Sequence, residues 1–343
     1  MRKTLLSLAL VTAATPALAA DPIEDFYKGK SVYLQVGSEA GGGYDLYGRT
    51  VGRHLGKHIP GKPTVVVQNV PGGGSLALAN QFAGTTPKDG TYIGLFAMGM
   101  PTTPLLFPDS ARFDPRQLAF VGSLARETQV FGIWHTAPAK TLDELFTKET
   151  IVGAAAPGST TLDYPLVMNA VLGTKFKIVG GYQGGPELKL AMQRGEIHSH
   201  SAIAWVTAKT VWADLLNSKE LVLLGQYGFK KHPELAEMPL LPLGKTDADR
   251  QIFQLLYSRQ DYGRPLALPP GVPAEKIKAI RQAFDDTLKD PEFLSDAEKT
   301  KLEISRVSGE ELQQLTNDLL KTPPDVVERM RTALGTKVAE KQK

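Results

Sequence analysis

The sequence contains no cysteine in its 343 residues. The absence excludes disulfides, thiolate metal sites, cysteine nucleophiles and a lipid-modified N-terminal cysteine, so buried apolar area must stabilise the fold. The sequence also has no large surplus of one charge, because 39 Lys and Arg stand against 36 Asp and Glu. The two signs are interspersed, whereas a nucleic-acid-binding surface normally shows a basic stripe. Nucleic acid is therefore not an expected partner.

No stretch of the chain stays apolar over the ~20 residues that a membrane-spanning helix requires. At the N-terminus, two basic residues precede a short apolar run, residues 5–11, and small residues follow up to Ala19 and Ala20. This pattern is typical of a secretory signal peptide. We expect cleavage after Ala19 or Ala20, a periplasmic mature protein and no membrane span in it. An uncleaved membrane anchor is the alternative.

Short runs rich in Val, Ile and Leu alternate along the chain with longer amphipathic stretches, which indicates an α/β fold with mostly parallel sheets. The length favours two domains. Two such α/β sets follow one another. In the second set we predict a helix that opens at the capping box Thr141-Leu142-Asp143-Glu144 and strands over Phe176–Val179 and His198–Ile203. The remaining tail is mostly helical in pattern, with predicted helix starts at Pro273 and at the capping box that begins with Ser308.

We expect the chain to cross back near residues 225–226. The first lobe would then comprise residues 21–125 and 226–343, and the second lobe residues 126–225.

Glycine-rich turns with hydroxyl or amide side chains stand where strand patterns give way to helix patterns. Free N–H groups at the start of a helix, together with the helix dipole, can bind an anion. In an open α/β sheet such turns lie at the carboxyl ends of the strands, where ligands bind. Each turn alone could simply reverse the chain, but two per lobe favour a shared cleft. The four turns are residues 37–45, 70–75, 157–161 and 180–186.

Known cofactor and catalytic motifs do not fit these turns. A P-loop would require Lys where Gly43 stands, and a dinucleotide fingerprint would require Gly at Leu46. No Gly-x-Ser-x-Gly elbow surrounds Ser38, Ser75 or Ser159. We therefore predict no cofactor and no catalytic residue, and a periplasmic hydrolase remains the minority alternative.

Two histidines could in principle hold a metal ion. His198 and His200 flank Ser199 on a predicted strand, so both rings would lie on one face. A metal site would need a carboxylate as well, and such a pair is more often half-buried and hydrogen-bonded. No metal site is predicted.

An acidic residue and several aromatic residues near the turns allow two interpretations. Asp45 lies just inside a helix start, where it would complement the helix dipole or contact a ligand. The aromatic side chains are either core residues or walls of a cleft for a flat ligand. They are Tyr44, Trp134, Tyr182 and Trp205.

An ordered set of segments carries a family resemblance. The set resembles the receptors of tripartite tricarboxylate transporters, the TctC-like or Bug periplasmic binding proteins, over nearly the whole mature chain. The segments are Phe26-Tyr27-Lys28-Gly29-Lys30, Gly41-Gly42-Gly43-Tyr44-Asp45, Gln68-Asn69-Val70-Pro71-Gly72-Gly73-Gly74, Pro87-Lys88-Asp89-Gly90-Thr91 and Leu266–Pro273.

The resemblance implies a two-lobe periplasmic-binding-protein fold of type II, a carboxylate ligand in the cleft at the hinge, and a membrane permease as partner. In that family, backbone N–H groups and waters hold one carboxylate between two first-lobe loops and a Ser/Thr turn of the second lobe. The matching segments here are residues 38–45, residues 71–75 and Pro157-Gly158-Ser159-Thr160.

This chain departs from the family pattern at two places. The first loop has Ser38-Glu39-Ala40 where prolines are usual, and His198 replaces an acid of the second lobe. An acidic Glu39 beside an anion site would repel a second carboxylate, so we expect it to accept a hydrogen bond from a hydroxyl or amine of the ligand.

The sequence thus predicts a monomeric receptor that captures a small carboxylate-bearing molecule and delivers it to a permease. A binding protein that reports to a sensor is the main alternative. The hinge is expected near residues 124–126 and 224–226. The predicted ligand-binding residues are Ser38, Glu39, Gly41, Gly42, Gly43, Tyr44, Asp45, Gly73, Gly74, Ser75, Ser159, Thr160, Thr161, Tyr182, His198 and Trp205.

Overall fold

The structure is a computed structural model and describes residues 21–335, so the predicted signal peptide lies outside the described residues. The strands are β1 Ser31–Val36, β2 Thr64–Asn69, β3 Tyr92–Leu95, β4 Ala119–Ser123, β5 Gln129–Trp134, β6 Thr150–Gly153, β7 Phe176–Val179, β8 Ile203–Ala204, β9 Leu221–Tyr227, β10 Pro265–Leu268 and β11 Val307–Ser308. The α-helices are α1 Pro22–Tyr27, α2 Gly43–Leu55, α3 Leu76–Gly84, α4 Thr103–Leu106, α5 Thr160–Val167, α6 Gly185–Gln193, α7 Trp205–Lys209, α8 Ala213–Asn217, α9 Asp247–Tyr257, α10 Ala274–Thr287, α11 Pro291–Lys299, α12 Gly309–Leu319 and α13 Pro324–Ala333.

The first sheet has six strands in the order β11-β4-β10-β3-β1-β2. Strand β1 pairs in parallel with β2 and β3, whereas β10 runs antiparallel between β3 and β4. Helices α2 and α3 follow β1 and β2, as the alternating sequence pattern predicts. This mixed architecture of helices and strands confirms the predicted α/β class.

Helix α2 packs closely on the first sheet because two glycines four residues apart face the strands. A Cβ atom on Gly48 would lie 2.6 Å from Val36, and one on Gly52 would lie 2.5 Å from Val67. The apolar stripe of the same helix, including Val51, is fully buried against the sheet. Close packing fixes the N-terminus of α2 at the carboxyl end of β1.

The second set of strands forms a three-stranded sheet, β8-β5-β9, and the parallel pair β6-β7. Ser199 links the two, because it forms isolated bridges to Ile133 of β5 and Val152 of β6. Its Oγ donates to the carbonyl oxygen of Gly132 at 2.6 Å. The link aligns the carboxyl ends of β6 and β7 with the side of the molecule that faces the first sheet.

Some local predictions are wrong. The predicted strand over residues 198–203 is reduced to the Ser199 bridges and β8, because Ser201 adopts a left-handed φ of 65° and its N–H donates to Ser199 Oγ. The predicted helix after Thr141 is a short 3₁₀ turn, since the Glu144 carboxylate accepts from Lys140 N and does not complete a capping box.

The tail contains more structure than its sequence pattern indicated. The predicted helix starts after Pro273 and at Ser308 are present, and Ser308 Oγ accepts from Glu311 N as a cap. Two further helices, α9 and α11, were not predicted. Among the described residues, no helix is both long and apolar enough to cross a membrane.

Candidate ligand-binding site

A cavity lies between the carboxyl ends of the first-sheet strands and the loops of the second set. All four predicted glycine-rich turns contribute to its lining. It offers about 160 Å³ of space to the centres of water-sized molecules. This space is well above the minimum that one water requires, so the cavity can hold several waters. It suits a small metabolite.

The turns of the two walls touch each other through glycines. A Cβ atom on Gly74 would lie 3.1 Å from Ser159 N, and one on Gly42 would lie 3.7 Å from Pro186. A Cβ atom on Gly99 would overlap the carbonyl oxygen of Gly158. The glycines therefore allow the backbones of both walls to approach a common space.

In three of the four turns, a backbone N–H group donates a hydrogen bond to an acidic side chain of the helix that follows. In each case the N–H group just before the helix N-cap donates to a carboxylate near the start of the helix. This arrangement satisfies a donor that the helix cannot pair and fixes the angle between turn and helix. The bonds run from Gly41 N to Asp45 (2.8 Å), from Gly158 N to Asp163 (3.1 Å) and from Gln183 N to Glu187 (2.6 Å).

These hydrogen bonds use some of the backbone N–H groups that were expected to bind a ligand and leave others unpaired. Gly41, Gly158 and Ser159 donate within the chain, the last to Ala156 O at 3.1 Å. The described residues provide no hydrogen-bond partner for the N–H groups of Gly74 and Thr160. The unpaired donors thus come from both walls, but they are fewer than the sequence suggested.

Ser75 joins three chain segments behind the cavity. It follows three glycines with positive φ and itself adopts a left-handed φ of 74°. Its Oγ donates to Gly37 O at 2.9 Å and accepts from Ala97 N at 2.7 Å. Ser75 therefore holds its turn against the ends of β1 and β3 and does not line the cavity.

An arginine buried beneath the first wall lines the cavity. Arg264 Nη2 lies 2.5 Å from Glu127 Oε2, and both side chains are almost completely buried. The guanidinium also packs over the rings of Tyr44 and Tyr47, at 4.2 and 4.9 Å from their centroids. Burial raises the pKa of Glu127 to about 7, against the opposing effect of Arg264.

A second buried pair supports the Ser/Thr turn. Arg259 Nη1 lies 2.6 Å from Asp163 Oδ2, and neither side chain is exposed. Asp163 Oδ1 accepts from Gly158 N, so the pair holds the turn that begins α5. Unlike Arg264, Arg259 does not line the cavity.

The structure brings nine of the predicted residues together on the cavity wall. Four others, which are Gly41, Asp45, Gly73 and Ser75, lie in the same turns without lining it. Asp45 accepts from Gly41, Arg49 and Asn69, so it organises its turn. The nine lining residues are Ser38, Glu39, Gly42, Gly43, Tyr44, Gly74, Ser159, Thr160 and Thr161.

Three predicted residues lie outside the cavity lining. Trp205 Nε1 donates to Glu234 at 2.6 Å, and His198 Nδ1 accepts from Ile151 N at 3.0 Å. Tyr182 packs against the hydrophobic core of the second set of strands, of which Trp134 is a buried member. These side chains are therefore engaged with groups other than those of the cavity wall.

Sequence reasoning missed several lining residues, above all Gln129, His200, Trp212 and Arg264. The His200 ring is buried, meets Trp212 edge to face at 4.9 Å, and has no hydrogen-bond partner at Nδ1. Burial lowers the pKa of His200 to about 4, so the ring is neutral near pH 7. The sequence signal that could have identified Arg264 is its position, as a charged residue, directly before a run of apolar residues that is typical of a buried strand.

One group of possible metal ligands occurs in the described residues, away from the predicted histidine pair. Ligand atoms of His54, Asp290 and Glu292 lie within 4.8 Å of one another. Asp290 already pairs with Lys57 and His58, and the Lys57 ammonium also contacts Glu292. These ion pairs join the turn that follows α2 to the segment that begins α11.

Comparisons with known proteins agree with this geometry. The family model described as "Tripartite tricarboxylate transporter family receptor" matches residues 49–332. No curated protein sequence matches the chain.

Several solved structures share the fold. The periplasmic binding protein BugD has a TM-score of 0.71 at 18% identity and covers 91% of this chain and 99% of its own. A Rhodopseudomonas palustris protein solved with adipate, Rpa4515, has a TM-score of 0.70 at 18% identity, with coverage of 90% and 98%. MatC from the same organism, with bound malate, has a TM-score of 0.68 at 16% identity, with coverage of 89% and 99%.

Proposed function

Because this chain belongs to the tripartite tricarboxylate transporter receptor family, whose members are periplasmic receptors, we propose that it captures a small organic acid in its cavity and delivers it to the membrane permease of its transporter. The observation that carries the proposal is the convergence of unpaired N–H groups from both walls, at Gly74 and Thr160. Relatives of the same fold hold adipate and malate, which are both carboxylates.

The first helical turn of α5 would provide the second-wall contact for the carboxylate. The Thr160 N–H and hydroxyl groups lie at a helix N-terminus, where an anion gains ~0.3–2 kcal/mol from the dipole. A micromolar complex needs about 8 kcal/mol. Direct hydrogen bonds and the desolvation of a closed cavity must therefore supply most of the affinity.

The proposed receptor has two lobes that close on the ligand. We propose a first lobe of residues 21–125 and 226–343 and a second lobe of residues 126–225. Strands β10 and β11 pair in the first sheet, which supports the return of the chain to the first lobe, although Tyr227 still pairs with β5 and Leu235 packs in the core of the second set. The lobes would pivot near residues 124–126 and 224–226. Closure then serves as the signal, because a permease can distinguish a loaded receptor from an empty one by its shape.

The mature chain would be released into the periplasm as a monomer after signal cleavage at Ala19 or Ala20. We propose binding without turnover. The Ser75 hydroxyl engages backbone groups and the Ser159 hydroxyl engages Thr161, so neither serine is paired with a histidine that could activate it.

A thermal-shift screen of di- and tricarboxylates, hydroxy acids, amino acids and aromatic acids tests the proposal. A ligand at 100 times its Kd should stabilise the protein by about 2.7 kcal/mol. Thr160→Ala should weaken the best ligand by about 0.5–1.5 kcal/mol, the usual net value of one hydrogen bond. The exposed Thr147→Ala serves as the control. No shift with any acid would contradict the proposal, and unchanged affinity in Thr160→Ala would remove the contact from the Thr160 hydroxyl.

A receptor that reports to a sensor would bind the same ligand. Deletion of the cognate permease genes, with uptake of the best ligand measured in cells, separates the two roles. Loss of uptake is expected for a transport receptor, whereas unchanged uptake would favour sensing.

A further inference from the structure

Charged side chains are scarce on the cavity wall. Among the described residues that line the cavity, the charged side chains are Glu39 and Arg264. They lie in different environments, and the difference decides which ligand charges the cavity accepts.

The positive charge of Arg264 is already neutralised. Glu127 lies 2.5 Å from its guanidinium, and the rings of Tyr44 and Tyr47 cover its faces. Pairing with Glu127 offsets the desolvation that a buried guanidinium suffers. Above the Glu127 pKa of about 7, a ligand therefore meets an ion pair with no net charge, and not a free cation.

The negative charge of Glu39 has no such partner. None of the described cations forms an ion pair with it, and the neighbouring charge that acts on it comes from Glu187, another acid. Its carboxylate reaches across the cleft, because a Cβ atom on Gly184 would lie 3.2 Å from Oε2. Burial and then Glu187 raise the pKa of Glu39, which reflects an unfavourable site for an unpaired anion.

His200 adds a polar group without a charge. Its ring is buried on the second wall and lines the cavity, and its Nδ1 has no hydrogen-bond partner. A neutral imidazole can donate or accept a hydrogen bond but cannot balance a carboxylate. One end of a ligand would therefore meet the unpaired N–H groups of Gly74 and Thr160, and the other end would meet the unpaired carboxylate of Glu39.

We propose that the ligand is a small amino carboxylate, whose carboxylate binds the N–H groups at Gly74 and Thr160 while its ammonium pairs with Glu39. This inference rests on the proposed function and specifies its ligand class. A dicarboxylate would bring a second anion into a cavity that holds an unpaired acid and no free cation. An ammonium group instead neutralises Glu39, so ligand and cavity wall together carry no excess charge.

Matched ligand series on the mature chain test the proposal by titration calorimetry at about pH 8, above the Glu127 pKa of about 7. Each series carries one carboxylate, between one and five methylene groups, and an ammonium, a hydroxyl or a second carboxylate at the far end. We expect the best amino carboxylate to bind about tenfold or more tightly than the dicarboxylate of the same spacing, since close charge pairs at interfaces couple by more than the 1.4 kcal/mol that a factor of ten represents. The hydroxy acid should fall between them.

Glu39→Gln identifies the residue responsible. The variant should lose most of the preference for the ammonium, and its affinity for the dicarboxylate should hold or rise. Glu237→Gln removes one negative charge at an exposed position outside the cavity lining and should leave both affinities unchanged. Equal losses in the two variants would indicate a general charge effect and overturn the proposal.

The outcomes separate this inference from the proposed function. If dicarboxylates bind best and Glu39→Gln does not change their affinity, the receptor function stands and the amino carboxylate proposal is wrong. If the hydroxy acid binds best, Glu39 accepts a neutral donor and the ammonium assignment is likewise wrong. If no member of any series binds, the carboxylate receptor itself is contradicted.

Discussion

Two buried arginine–carboxylate pairs flank the cavity, and they differ in how completely their carboxylates are hydrogen-bonded. Asp163 uses one oxygen for Arg259 and the other for Gly158 N, so it fixes the turn at the start of α5. Glu127 contacts Arg264, yet neither of its oxygens has a well-aligned hydrogen-bond donor. The first pair lies behind the cavity wall and the second forms part of it.

The comparison shows that equal burial does not imply an equal role. A buried pair whose acid is fully bonded holds the backbone in one arrangement. Burial raises the pKa of both acids, and it raises that of Glu127, which lacks an aligned donor, to about 7. The Asp163 side should therefore be rigid, and the Glu127 side should respond to pH.

Removal of Asp163 should have the largest effect. Asp163→Ala leaves Arg259 buried without its partner, and breaking such a pair costs about 3–5 kcal/mol of unfolding free energy. Urea denaturation measures the loss. The control, Asp318→Ala, breaks an exposed pair with Lys321 that contributes about 0–1 kcal/mol. Similar small losses in both variants would contradict the structural role of the Asp163 pair.

A methyl group added next to the turn that the Asp163 pair holds should lower the unfolding free energy. Gly99→Ala places Cβ against the backbone oxygen of Gly158, which the Asp163 pair holds in place. We expect a loss of about 1–3 kcal/mol, as for other overpacked sites. Urea denaturation is again the measurement. Gly84→Ala is the matched control, since a Cβ there meets nothing within 4 Å. Equal stability of the two variants would show that the Gly158 backbone can move.

The ionisation of Glu127 should make the unfolding free energy depend on pH. Between its ordinary pKa of 4.5 and about 7, the folded protein binds more of the Glu127 proton than the unfolded chain, so this acid lowers stability as pH rises. Arg264, Glu303 and Lys209 are the charges that act on it. Glu127→Gln should remove this dependence, so the stability of the variant relative to the wild type should rise as the pH increases from about 4.5 to about 7.

The slope that one proton can contribute is at most about 1.4 kcal/mol per pH unit. Urea midpoints measured at each pH give this slope. Parallel curves for the wild type and Glu127→Gln would place the pKa of Glu127 outside that window.

A methyl group beside the Arg264 pair should cause the smallest loss. Gly43→Ala brings Cβ against Thr207 Oγ1, which belongs to a side chain and not to backbone. We expect about 1 kcal/mol, at the low end for overpacking. Thr207→Ala should relieve the clash, so the double variant recovers the stability of Thr207→Ala alone. A double variant as destabilised as the sum of the single changes would contradict this account.

The sequence predicted the parts of the fold that depend on local pattern. The strand Phe176–Val179 and the cap at Ser308 follow from apolar runs and capping chemistry, and both are present. The strand predicted through His198 fails because Ser201 takes a left-handed conformation that no local signal indicated. Helix α9 was not predicted, because its apolar periodicity in the tail was not recognised.

The cavity wall was predictable where it consists of glycine-rich turns and unpredictable where it consists of distant side chains. Gly42, Gly74 and Thr160 lie where strand-to-helix turns must lie. Arg264 lies directly before β10, far along the chain, and no spacing within the sequence connects it to Glu127. Trp205 was misplaced because an aromatic residue near a strand end can bond outward, here to Glu234.

The hydroxyl of Ser75 restricts how the first wall can move. It holds Gly37 and Ala97 at the same time, so the turn before α3 cannot shift without the ends of two neighbouring strands. Any closing motion must then carry this wall as one body, and conformational freedom during capture is left to the opposing wall and the connecting segments.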